Sequence, residues 1–361
     1  EGLIFTDGLA MKGATNFLGP GDLELAVILA GNDILLAPID VPAGFEKLET
    51  AYKNGILTEE RLAHSVKKIL RYKYKAGLNT YKPVVLENLV QDINPSENEA
   101  LHYKLYENAI TVLKNEKEIL PIKNLNQKIA YVKLGDDVNS TFVTTLKKYT
   151  EVTEVKNTNI DSLNRELKNY NTVIIGFHKV NKTWDKQEFT ATELVWLQEI
   201  SKHNKVILDI FSKPYSLLPL TNFDDIEGLV VSYQNSDISQ VVSAEVLFGA
   251  IEAKGKLPVS INKHFNVNDG LSTVKLNRLG FTAPENEGMN PLVLSKIDSI
   301  AKKAIDGKMT PGMQVLVARK GNVIFQKSYG HHTYDNTMKV SNSDLYDVAS
   351  ISKMISTLPN V

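Results

Sequence analysis

Two short stretches of this sequence carry side chains whose types and spacing suit nucleophilic chemistry. In residues 2–13 an apolar run of strand length ends at Asp7, and Gly8 follows at once. Near the other end, Ser350 and Lys353 stand three residues apart at the expected start of a helix. A carboxylate can attack an electrophilic carbon, and a hydroxyl one helical turn from an amine can attack an acyl group while the amine takes its proton. Both stretches are therefore candidate catalytic sites.

Neither pattern is specific when it is taken alone. An acid after an apolar run is often a turn former or a helix cap, and Ser350 has the same alternative as a plain helix cap. The Ser-x-x-Lys spacing also recurs at Ser65/Lys68, Ser260/Lys263, Ser272/Lys275 and Ser299/Lys302. The elements around each site must therefore decide how it is interpreted.

Around Asp7, the first 78 residues predict the order strand, helix, strand, helix, helix. The expected elements are a strand ending at Asp7, helices near 22–30 and 43–53, a buried strand over 33–37, and a helix from Thr58 to Gly77. In a β/α barrel, a parallel strand that ends at an acid, as this strand ends at Asp7, places that acid at the C-terminal face of the barrel. The basic residues of the last helix, Lys68 among them, lie near its C-terminal end and predict a solvated face.

Between the two candidate sites, residues 99–265 alternate strands with helices. Strands are expected over 128–134, 151–155, 172–177, 205–211 and 228–233, and helices near 141–148, 162–168, 190–203 and 238–250. This alternation predicts a mostly parallel sheet with helices on both faces. Residues 79–98 and 266–288 lack helical periodicity and predict linkers on either side.

Residues 289–361 precede and include the Ser350 site. An amphipathic helix is expected after Pro291, followed by a hairpin of 313–319 against 323–327 that turns through Lys320, Gly321 and Asn322. The chain begins at Glu1 without a methionine and stops just past Lys353. We therefore expect a fragment of a longer protein, inactive as a glycosidase when it is expressed alone.

Composition excludes several classes of partner and site. The 361 residues suffice for two or three domains, and a net charge of -1 gives no field that would attract nucleic acid or an anionic membrane. The absence of cysteine excludes disulfides and thiolate metal sites. No apolar run reaches membrane-spanning length. We expect no cofactor and no metal, because His331 and His332 have no apparent third ligand.

Several strings of residues resemble glycoside hydrolase family 3, and more narrowly its β-N-acetylhexosaminidase branch. They are GLIFTDGLAMKGA, AGNDILLAP, the helix that opens GILTEERL and ends KYKAGL, then NAITVLKNEKEILPI and GKLPVSI. The resemblance implies that 1–78 is the C-terminal part of the family's β/α barrel and that 99–265 is the α/β sandwich domain that follows it.

That resemblance implies that Asp7 is the nucleophile of a retaining glycosidase, at the end of barrel strand seven. Members of the β-glucosidase branch usually have Trp at the position of Gly8 and take their acid/base from the sandwich domain. In the hexosaminidase branch the acid/base is an Asp-His pair on an earlier barrel loop, which would precede Glu1. His178 and Glu188 flank Trp184 in a loop after a sandwich strand, where they could reach a neighbouring active site; we expect an ordinary surface loop instead.

The run from Gly312 to Val315, the hairpin, and Leu345 to Ser350 resemble the opening of the serine β-lactamase and penicillin-binding-protein-like hydrolases. This resemblance implies that Ser350 is an acyl-accepting nucleophile and Lys353 its general base. The family's later motifs would lie beyond Val361.

Taken together, the sequence predicts an α/β protein: the end of a TIM-type barrel, an α/β sandwich domain, and the start of a β-lactamase-like α+β domain. The expected activity is hydrolysis of terminal N-acetylglucosamine residues, with peptidoglycan fragments as substrate and the bacterial cell envelope, periplasmic or secreted, as location. The alternatives are a β-glucosidase-type family 3 enzyme, a serine acyl hydrolase with a glycan-binding barrel, and a glycan-binding protein with a decayed site.

Overall fold

The computed structural model describes residues 2–138, 140–182 and 187–357. The chain forms two compact units, Glu1–Leu89 and Val90–Val361. The division lies inside the stretch 79–98, where the sequence loses its periodicity. Trp184 lies outside the described residues.

The first unit has the expected strands and helices in the expected order, with one further short helix, α1 (Lys12–Thr15), after the first strand. Strands β1 (Phe5–Gly8) and β2 (Ile34–Leu36) pair in parallel. The helices are α1 (Lys12–Thr15), α2 (Asp22–Leu29), α3 (Val41–Lys53) and α4 (Glu59–Lys75). The Thr58 hydroxyl accepts a hydrogen bond from Arg61 N at 3.1 Å, so the predicted cap of α4 is confirmed.

The second unit is built on a six-stranded sheet with the order β3-β8-β7-β6-β4-β5. All neighbours are parallel except β3 and β8. The strands are β3 (Thr111–Asn115), β4 (Ile129–Gly135), β5 (Val152–Glu154), β6 (Thr172–His178), β7 (Val206–Phe211) and β8 (Gly228–Val231). The parallel strands were predicted, whereas the antiparallel edge strand β3 was not.

Helices cover both faces of this sheet. The short helix α5 (Leu89–Ile93) comes first in the chain, and the helices on the sheet are α6 (Ser96–Ala109), α7 (Thr141–Leu146), α8 (Ile160–Leu167), α9 (Ala191–His203) and α10 (Asp237–Phe248). The β6 side chains alternate between two core clusters: Val173 and Ile175 pack with α8 and α9, whereas Ile174 packs with α7 and α10. Because both faces are covered, every residue of β6 is buried, as expected for a central parallel strand.

A second, three-stranded sheet follows in the same unit, with the order β10-β11-β9. Its strands are β9 (Gly280–Phe281), β10 (Gly312–Arg319) and β11 (Asn322–Gly330), and its neighbours in sequence are α11 (Pro291–Leu294), α12 (Lys296–Asp306) and α13 (Ile351–Thr357). Lys320 and Gly321 form the two-residue hairpin turn with φ of 51° and 88°, as a type I′ turn requires. Among the described residues, no helix combines the length and the apolar character needed to cross a membrane.

Candidate functional site

Asp7 lies at an irregular point of the β1–β2 pair. The register shifts between Phe5 and Gly8, and the Thr6 hydroxyl, in place of a backbone carbonyl, accepts the hydrogen bond of Leu36 N at 2.9 Å. The Asp7 side chain is exposed, and its Oδ1 accepts a hydrogen bond from Gly8 N at 2.7 Å. Irregularities of this kind re-aim a side chain at the end of a strand. The site therefore presents a carboxylate to solvent at the carboxyl end of β1.

A buried carboxylate, Asp33, fixes the strand that carries Asp7. It accepts hydrogen bonds from Ile4 N at 3.0 Å, from Ser65 Oγ at 2.6 Å and from Lys68 Nζ at 3.0 Å. These hydrogen bonds, that of Ser65 foremost, outweigh desolvation and hold the pKa of Asp33 well below its usual range. Asp33 thus ties the start of β1 to α4 as a permanent anion.

The Asp33 contacts show that the predicted role of Lys68 is wrong, and they explain the Ser-x-x-Lys spacing at Ser65 and Lys68. Lys68 is not part of a solvated face, because its ammonium pairs with a carboxylate that is 1% exposed. Ser65 and Lys68 have the same spacing as Ser350 and Lys353, but both donate hydrogen bonds to the Asp33 carboxylate. The apolar start of β2 gave no signal that Asp33 would be buried among donors.

Gly8 is not required by the backbone or by close packing in this structure. A Cβ at this position would lie 3.6 Å from Met11 Cγ, which is an ordinary contact. The surrounding packing would therefore tolerate a side chain at this position.

A second polar cluster lies at the carboxyl ends of β4 and β6. The sheet order places β4 between β5 and β6, and ligands of open α/β sheets bind where the strand order reverses in this way. A Cβ at Gly135, whose φ is 99°, would lie 1.8 Å from His178 O, so only glycine fits the end of β4. The two strand ends are consequently held in close contact.

His178 is the centre of this cluster, and the prediction that it belongs to a surface loop is wrong. It is fully buried, its Nε2 is 2.9 Å from Tyr131 Oη, and its Nδ1 is 2.8 Å from Asn235 Oδ1. Asn235 Nδ2 donates to Asp137. Burial lowers the pKa of His178 to about 4, so the ring is neutral at pH 7 and orients Asn235 and Asp137. Glu188 is exposed, as expected.

Ser350 and Lys353 are brought together by the start of α13. Lys353 Nζ donates a hydrogen bond to Ser350 Oγ at 2.9 Å, and both side chains are exposed. Ala349, the preceding residue, has a φ of 43°. The pair therefore has the contact that proton transfer from the hydroxyl to the amine needs.

No set of side chains in the part of the chain that the structure describes is arranged to bind a metal ion. No group of three or more His, Asp or Glu side chains is placed to hold an ion there. His332 instead bonds Asp344, with 2.7 Å between Nε2 and Oδ2.

Comparison with known proteins gives family matches over part of each unit, up to residue 291. Residues 110–291 match the profile of the glycosyl hydrolase family 3 C-terminal domain, and residues 1–72 match that of the family's N terminal domain. A curated β-N-acetylglucosaminidase/β-glucosidase from Cellulomonas fimi is 26% identical over 122 residues, which is 34% of this chain and 22% of the relative.

Two solved structures share the fold. The β-glucoside phosphorylase BglX, bound to 2FGlc, has a TM-score of 0.56 and 22% identity over 72% of this chain and 49% of its own. A family 3 β-N-acetylglucosaminidase from Paenibacillus sp. str. FPU-7 has a TM-score of 0.52 and 19% identity over 72% of this chain and 51% of its own. The chain thus spans about half the length of these structures and about a fifth of the curated relative.

Proposed function

The chain belongs to glycoside hydrolase family 3, and on that premise we propose that it acts as a retaining β-N-acetylhexosaminidase with Asp7 as the nucleophile. The observation that carries the proposal is the exposed Asp7 carboxylate at the carboxyl end of β1, held by a strand that Asp33 anchors. In the reaction, Asp7 attacks the anomeric carbon and the aglycone leaves with a proton from the enzyme's acid/base, which then takes a proton from the water that hydrolyses the glycosyl ester.

The test is Asp7→Gly in the full-length protein, with an aryl N-acetyl-β-glucosaminide as substrate. Hydrolysis is expected to fall by about three orders of magnitude or more, because the covalent step is lost. Added azide is expected to restore turnover and to yield the α-glycosyl azide, since azide enters the space that the carboxylate leaves. Asp22→Asn, which removes an exposed carboxylate of the same unit, is the control. Full activity of Asp7→Gly would refute the assignment.

The proposal that the substrate sugar is an N-acetylhexosamine rests on Gly8. Gly8 stands where the β-glucosidase branch usually has Trp, which favours the N-acetylhexosamine. The β-glucosidase alternative makes a different prediction, since that branch takes its acid/base from the sandwich domain. Glu188→Gln would then slow aryl glycosides with poor leaving groups and spare 2,4-dinitrophenyl glycosides. Comparing the kcat/KM of the N-acetylglucosaminide with that of the glucoside decides between the two sugars.

The proposed natural substrate is a peptidoglycan fragment with a terminal N-acetylglucosamine. It would place the protein in the bacterial cell envelope, periplasmic or secreted, and fractionation of cells that produce the protein tests this location. Assays with and without inorganic phosphate test whether water or phosphate accepts the sugar, because phosphate would release a sugar 1-phosphate.

A second activity, serine acyl transfer, is favoured by the 2.9 Å contact between Lys353 Nζ and Ser350 Oγ. Ser350 Oγ would attack the acyl carbon while the Lys353 amine takes its proton. The leaving group then departs with that proton, and water hydrolyses the ester. A fluorophosphonate probe tests this proposal: it should label the protein, and both Ser350→Ala and Lys353→Met should abolish labelling, whereas Ser352→Ala should not. Labelling of Ser350→Ala would refute it.

A further inference from the structure

An apolar cleft lies outside both candidate sites. It has a volume of about 670 Å³ and is bounded by α7, the segment 278–281 and the hairpin β10–β11. Its apolar walls come from Leu125, Leu279, Phe281, Leu316 and Val323. This volume is in the range of cavities that bind small molecules. We call it the hairpin cleft.

The charge of the hairpin cleft is positive. Lys147, Lys148 and Arg278 line it, and no aspartate or glutamate is among its described lining residues. The Arg278 guanidinium is already engaged, because it donates to the carbonyls of Ile122 and Phe248 at 2.7 and 2.6 Å. Within the described ranges, neither lysine has a carboxylate within 4.0 Å. The two ammonium groups therefore remain available to an anion.

Lys148 is the residue best placed to meet such an anion. Its Nζ lies 3.9 Å from the centroid of the Phe281 ring, and burial lowers its pKa. The acid that faces it is Glu245, which is buried and accepts a hydrogen bond from Phe281 N. Burial raises the pKa of Glu245 to about 8, so this carboxyl is mostly neutral at pH 7 and does not compensate Lys148. An incoming anion would restore the solvation that the ammonium has lost.

Tyr149, which lines the hairpin cleft, is held in place by contacts that exist before a ligand binds. The Tyr149 ring stacks on Phe248 with 4.9 Å between centroids, and its hydroxyl donates to Leu279 O at 2.9 Å. Because the Tyr149 ring is stacked on Phe248, that face of the ring is not open to a sugar. Walls that are ordered before binding reduce the entropic cost of the complex.

We propose that the hairpin cleft binds a fatty carboxylate, with the carboxylate on Lys148 and the alkyl chain between Leu279, Phe281 and Leu316. This site is independent of the glycosidase and acyl-transfer proposals, since it uses none of their residues.

Calorimetric titration of the purified protein with straight-chain carboxylates tests the proposal. Decanoate is expected to bind about fifteenfold more tightly than octanoate, because it has two more methylenes and each buried methylene contributes about a fourfold gain. Decyltrimethylammonium, with the same tail and the opposite charge, is expected to bind at least tenfold more weakly than decanoate. Equal affinity for the anion and the cation, or no dependence on chain length, would overturn the assignment.

Two variants with matched controls locate the site. Lys148→Met should weaken decanoate binding about tenfold and leave binding of 1-decanol unchanged, whereas Lys302→Met, on the exposed surface of α12, should change neither. Leu316 is 52% exposed, so variants at this position should fold. The Leu316→Glu variant should repel the carboxylate of decanoate, whereas Leu316→Gln should retain most of the affinity for decanoate. Unchanged decanoate binding by Lys148→Met and Leu316→Glu would refute the proposal.

Discussion

Replacing Glu245 by glutamine is expected to change how the stability of the second unit depends on pH. Glu245 is 1% exposed on α10, one carboxyl oxygen accepts a hydrogen bond from Phe281 N, and the other has no partner among the described residues. The charged groups around it are Lys148, Lys275 and Glu107, and their influence is smaller than that of burial. The folded protein therefore keeps this carboxyl protonated.

The size and sign of the effect follow from the two protonation equilibria. Burial raises the pKa of Glu245 from 4.5 to about 8 in the folded protein. Between these values the unfolded chain binds fewer protons than the folded one, so stability falls as the pH rises, by at most about 1.4 kcal/mol per pH unit. Over the whole window the loss is roughly 4 kcal/mol. Because glutamine does not titrate, the Glu245→Gln variant does not lose this stability as the pH rises.

Urea unfolding followed by tryptophan fluorescence, at intervals from pH 4.5 to 8, measures the effect. The Glu245→Gln variant should match the wild type near pH 4.5 and exceed it increasingly toward pH 8. Asp209, whose pKa burial raises to about 7, is present in both proteins, and its contribution cancels in the difference. Glu252→Gln, at an exposed carboxylate, should follow the wild type. A stability difference that does not grow with pH would refute the reasoning.

Two further predictions concern buried charge. Asp33→Asn should lower the free energy of unfolding of the first unit by about 3 kcal/mol, because it leaves Lys68 without its counter-ion; amide hydrogen exchange of β1 and β2 measures this, and unchanged protection would contradict it. Arg278→Met should destabilise the second unit by about 2 kcal/mol, because it leaves buried backbone carbonyls without a donor. Urea unfolding measures that loss, and an unaltered midpoint would show that the carbonyls find other donors.

Much of the fold could be predicted from local pattern. The strands β4 to β8 are apolar runs bounded by polar turns, and α9 begins at a capping box in which Thr190 Oγ1 accepts from Glu193 N at 3.2 Å. Such signals depend on neighbours a few residues apart. The edge strand β3 was missed because it follows α6 directly, with only Ile110 between them, and no turn marks its start.

The candidate site was predicted only in part. The type of residue and its place after an apolar run indicate Asp7, and the spacing indicates Ser350 and Lys353, whose contact at 2.9 Å agrees with it. The shifted register at Thr6 and the anchoring of β1 by Asp33 were not predicted, since they depend on pairing with β2 and α4. Asp33 is 35 residues from Lys68 in sequence.

The sequence by itself determined most of the order of strands and helices, the family, and the identity of the candidate nucleophiles. Periodicity, caps and turn residues act through the nearby backbone, and a family's motifs are strings of neighbouring residues. Only the tertiary structure decided that His178 is a buried neutral ring, that Glu245 holds its proton, and that Lys148 faces an apolar cleft. Those properties depend on how much water packing removes from a side chain and on which distant groups replace that water.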